Sequence, residues 1–159
     1  MGLIRQSGEI IEYEDKQFNE ISNVLDTLLE IHSFLSNMLF FELGAKAEDV
    51  IRQSLQNLIR IHSGIFVGIP LERGGDVTKE MILRNIAHYY PGPETRILFI
   101  EAFCALFENM LTAIGKYLGI TLAEQASVKI RTEIKNIERY ATETALRSHL
   151  LETFDKMVQ

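Results

Sequence analysis

A chain of 159 residues, 47% hydrophobic and 24% charged, has the length of one domain with a proper core and the composition of an ordinary globular protein. Its net charge of −6, with no basic cluster, repels phosphate backbones and anionic lipid, so neither nucleic acid nor a membrane is an expected partner. A single cysteine, Cys104, excludes an internal disulfide framework and a multi-cysteine zinc site.

At the N-terminus, Leu3-Ile4 and Ile10-Ile11 flank Ser7-Gly8, so residues 1–14 read as an arm or a short β-ribbon. The first seven residues lack the apolar core of a signal peptide, and Gln6 stands where a myristoylation signal carries Ser or Thr. The charge-free runs, such as Ile31–Phe41 and Ile61–Leu71, fall short of the roughly 18–20 apolar residues of a membrane span. A cytoplasmic location is the expectation.

Residues 15–140 read as a helical bundle. From Asp15, steps of three and four place Ile21, Val24, Leu28, Ile31, Leu35 and Met38 on one seam, with Glu20, Asp26, Glu30 and Asn37 away from it. Phe34, Phe40 and Phe41 widen the stripe, so the last turns are expected to be buried on most sides. Leu43-Gly44 stops this helix, and Leu118-Gly119 stops a later one, glycine being the favoured left-handed cap. The two stops divide the chain into helix–cap–helix hairpins.

A second helix carries Ala47, Val50, Ile51, Ser54, Leu55, Leu58, Ile59 and His62 on one face, and Gly64 closes it. Residues 63–76 form a connection whose apolar first half should cross the core. Asp76 is an N-cap candidate for a third helix, Val77 to about Tyr89, which Tyr90-Pro91-Gly92-Pro93 ends. The fourth, Glu94 to Leu118, is apolar on most sides and therefore central. Thr121 and Glu124 have the spacing of a capping box for a last helix. Unbroken to Gln159 it would exceed about 50 Å, so a break near 140–144, or a tail against a second subunit, is expected. The fold class is all-α: an antiparallel bundle of about five helices with a long C-terminal helix, of which 141–159 is a possible oligomerisation segment.

Chemistry-bearing residues are sparse. His32 and His62 sit beside apolar faces, but counting from Gly44 offsets them by about six residue rises, roughly 9 Å, too far to share one metal ion. The Glu-x-x-His spacing of di-iron bundles is absent, so no metal or other cofactor is expected. His62-Ser63-Gly64 matches helical phosphotransfer domains only in having a histidine on a bundle helix; the lysine and small residue that follow theirs are missing. Glu42 lies among apolar neighbours in a last helical turn, where solvent or Lys46 would take its charge. Glu101 and Glu108 form a polar edge on the fourth helix. Arg73-Gly74-Gly75 lacks the spacing and lysine of a phosphate-binding loop, and no nucleophile motif occurs.

The favoured function is therefore non-catalytic: a regulatory or protein-interaction module, of signal-transduction or scaffold type, that forms a homodimer. The apolar residues Leu146, Leu150, Leu151, Phe154 and Met157 are the interface candidates, since a compact bundle has no need of them on a protruding tail. The competing reading is a sensor holding an apolar ligand in its core, with Phe41, Phe66, Phe103 and Phe107 as walls and His32, Glu42, His62 or His88 as polar contacts.

Overall fold

The computed structural model describes residues 3–62, 64–68, 77–138, 148, 152 and 153, with side chains from Lys16 onward except at Pro93 and Glu138. It is all-α, and the described residues contain no strand. The helices are α1 (Leu3–Leu43), α2 (Lys46–Ile61), α3 (Lys79–Tyr89), the four-residue α4 (Pro93–Arg96), α5 (Phe99–Leu118) and α6 (Ile120–Glu138).

Helix α1 starts at Leu3, which overturns the ribbon or irregular arm expected over residues 1–14. The reason lies in register. Leu3-Ile4 and Ile10-Ile11 precede Gln17-Phe18 by two heptads and one heptad, so the apolar stripe runs backwards without a change of period. Extending a formed helix is cheap compared with nucleating one, and Gly8 costs only about 1 kcal/mol against that.

Within the bundle, Ile21, Val24, Leu25, Leu28, Ile31, Leu35 and Leu39 are all buried. Glu20, expected to point away, is buried as well, one turn from buried Gln17. Arg96 from α4 is buried beside them, its Nη1 3.4 Å from Gln17 Oε1 and its guanidinium 4.7 Å above the Phe18 ring. A polar cluster that the seam did not anticipate thus joins α1 to the α4–α5 junction.

Helix α2 buries Ala47, Val50, Ile51, Ser54, Leu55 and Leu58, the face its periodicity marks. The expected fourth helix is interrupted. Tight bonds from Leu98 N to Thr95 O and from Ile100 N to Ile97 O separate α4 from α5. Helix α5 is the central one, packed against α1, α2 and α6. Within Lys16–Leu43 and Glu94–Leu118, windows of 18 residues with mean hydropathy 1.2 and 1.8 are long and apolar enough to cross a membrane, a length that charge-free runs alone do not reach. Here their apolar side chains supply much of the core.

Three expected helix ends differ. Thr78, not Asp76, caps α3 by accepting the Met81 amide, and Asp76 lies outside the described residues. Helix α6 begins at Ile120, with the Ala123 amide bonded to Gly119 O, so Thr121 is already inside the helix instead of capping it. Gly64 has no positive φ; it is small because a Cβ there would lie 2.7 Å from the Tyr90 hydroxyl. The expected break at 140–144 lies outside the described residues.

Candidate functional site

Of the residues proposed from sequence as pocket walls, three come together and Phe41 does not. Phe66, Phe103 and Phe107 are fully buried and pack against one another: Phe66 meets Phe103 edge-on at 5.7 Å, and Phe103 meets Phe107 at 6.0 Å. Sites vacant for a ligand are not needed to explain them, since edge-to-face ring pairs of this geometry are ordinary core packing. His32 is buried in mid-α1. His88 is exposed on α3, its ring edge-on to that of Tyr89. Phe41 is 87% exposed, contrary to the expected burial of the last turns of α1, while Glu42 is exposed, as expected of its charge. Two residues on from Leu39 is about 200° around a helix, which carries Phe41 to the side opposite the core.

His62 follows the last turn of α2, half-buried, its amide bonded to Leu58 O at 2.7 Å. Burial lowers the imidazole pKa below its ordinary 6.5, and the Glu101 carboxylate opposes that shift. Farther along α5, burial pushes the Cys104 thiol up to about 12, aided by Glu108 and Glu101. Its Sγ lies 3.9 Å from Thr153 O, so at Thr153 the chain lies against α5 of its own bundle. The interface candidates Leu146, Leu150, Leu151, Phe154 and Met157 lie outside the described residues. No three His, Cys, Asp or Glu side chains among the described residues are grouped as a metal site would require.

A groove of about 530 Å³ runs between Val67-Gly68 and one face of α3, where Met81, Arg84, His88 and Tyr89 line it. Its floor is Asn85, which sequence reasoning passed over. Asn85 is buried, and its Nδ2 donates to Ile65 O at 2.8 Å and to Val67 O at 2.9 Å. Those bonds are spent on the chain itself. They pin the core-crossing loop, and its Ile65 and Phe66 are fully buried as expected.

The most distinctive surface is the end of the bundle where the two Leu-Gly stops lie. Asn109 Nδ2 donates to Ser54 O at 3.2 Å, and Lys129 Nζ stands 5.9 Å above the Phe34 ring. Ser54 and Phe34 are each ten residues from Gly44, while Asn109 and Lys129 are each ten residues from Gly119. The Glu101 carboxylate acts on His62, so α5 runs back along α2 from there, and both stops sit about 15 Å beyond the same cross-section, on the same side of it. At this end Phe41 is 87% exposed and Ile120 72%, with Phe40 and Tyr117 partly exposed beside them. Ile120 was missed in the sequence, although it lies about 80° from the Ile130 line on a helical wheel. No family model, curated protein or solved structure matches this chain.

Proposed function

We propose that the protein is a non-catalytic helical interaction module, of signal-transduction or scaffold type, that works as a homodimer. The observation that carries this reading is the pair Phe41 and Ile120, two large apolar side chains left in water at the turn end of the bundle, while Ile61, at 74%, and Val128, at 58%, are exposed elsewhere on it. Each costs free energy in solvent, about 1.5–3 kcal/mol for a side chain of this size, which a partner surface would recover. The ring contacts among Phe66, Phe103 and Phe107 favour this reading over a sensor with a ligand chamber, because those rings already fill one another's contact surface.

Sedimentation equilibrium of the full chain tests it. The mass is expected to climb from 18.2 kDa towards twice that value as concentration rises into the tens of micromolar. A chain that stays at 18.2 kDa throughout would overturn the reading.

A further inference from the structure

We infer that the second copy docks on the turn end of the bundle, through a two-fold contact centred on Phe41 and Ile120, and not through the C-terminal segment. The inference rests on the self-association reading above and names the surface that performs it. A two-fold interface brings one patch against itself, so the patch must contain both halves of every complementary pair. The turn end does. Within five residues of the two stops stand two exposed acids, Glu42 and Glu124, and two exposed bases, Lys46 and Lys116. Among the described residues none of the four takes part in an ion pair, and Lys116 reaches only the ring of its neighbour Tyr117, at 5.1 Å.

Other charges also lie near this end. Asp49 is paired with Arg52 at 2.9 Å, and Glu48 lies in the first turn of α2, where the helix dipole favours an acid. With these four charges cancelling, the net charge of −6 is carried by the rest of the chain, which on average opposes the approach of a second copy there. An apolar centre inside a rim of mixed sign is the anatomy of a specific contact. At Thr153, by contrast, the C-terminal segment is set against α5 of its own chain, 3.9 Å from Cys104 Sγ.

The test is sedimentation of the full chain in three forms beside the wild type. Phe41→Ser with Ile120→Ser should return the dimer to 18.2 kDa at concentrations where the wild type is dimeric. Its far-UV circular dichroism should not change, because both side chains are exposed. Glu42→Lys with Glu124→Lys should weaken association by at least about tenfold through like-charge repulsion at the rim. Adding Lys46→Glu and Lys116→Glu to that variant should restore it. A dimer that survives the serine pair would overturn this inference and leave self-association standing. A wild-type monomer would overturn both.

Discussion

Asn85 on α3 holds the carbonyl oxygen of Ile65 at 2.8 Å, twenty residues back along the chain. One amide group thus fixes a loop whose Ile65 and Phe66 are both fully buried, and Phe66 in turn packs edge-on against Phe103 of the central helix. The chain order loop, amide, aromatic pair explains why an uncharged polar residue occupies an otherwise apolar face of α3.

Replacing Asn85 by leucine would leave the Ile65 carbonyl buried and unpaired and release the bond to Val67, whose side of the groove water can reach. The expected loss is about 3 kcal/mol. For a chain of this size that is a fall of about 10 °C in Tm. Urea and thermal unfolding followed by circular dichroism measure it, with the exposed Asn57→Leu as a control expected within about 0.5 kcal/mol. Equal effects at the two positions would show that the loop does not depend on the amide.

The two Leu-Gly stops read alike in sequence but are built differently. Gly44, with φ of 58° and its amide bonded to Phe40 O, is a left-handed cap. Gly119 has φ of 102° and ψ of 159°, with its amide bonded five residues back to Ile114 O, and that region of backbone space is essentially glycine's alone. A Cβ would meet nothing within 4 Å at either position, so backbone strain decides the cost. Gly44→Asn should cost less than about 1 kcal/mol, since asparagine tolerates the left-handed cap. Gly119→Asn should cost about 2–3 kcal/mol. Chemical denaturation of the two variants compares them directly, and equal losses would refute the distinction.

His62 makes stability pH-dependent in a defined direction. Burial favours its neutral form, so the folded chain binds the imidazole proton less tightly than the unfolded chain does. The stabilisation is complete above the unfolded value near 6.5 and is lost as pH falls through the lower folded value. His62→Gln removes that titration, so the stability gap between wild type and variant should shrink between about pH 7.5 and pH 5. Urea midpoints across that range give the answer; parallel profiles would mean that His62 is not desolvated.

Much of the bundle was legible because its helices are amphipathic at a single period. The α2 face from Ala47 to Leu58 appears in the sequence as it does in the fold, and so does the seam from Ile21 to Leu35. What the sequence concealed depends on contacts between elements distant along the chain. Gln17 and Glu20 look like solvent-facing polar residues until Arg96, more than seventy positions away, is brought to the same buried corner. Gly64 resembles a helix stop until Tyr90 is placed over it. The exposed end was hidden for another reason: Phe41 was read by its composition among aromatic neighbours, when its angle from Leu39 already turned it outward.

Cys104 offers a probe of the same core. Its thiol is buried on α5, with burial first and the Glu108 and Glu101 charges after it driving the pKa up to about 12. At pH 8 only about one thiol in ten thousand is then ionised, and the thiolate is the form that reacts. Native protein should therefore react with a disulfide reagent about a thousandfold more slowly than an exposed cysteine, and denaturant should abolish the difference. Because burial is the leading cause, Glu108→Gln should speed the reaction far less than unfolding does. Labelling in the native state at the rate of a free thiol would show that the α5 face carrying Cys104 opens to solvent, and that Thr153 does not stay beside it.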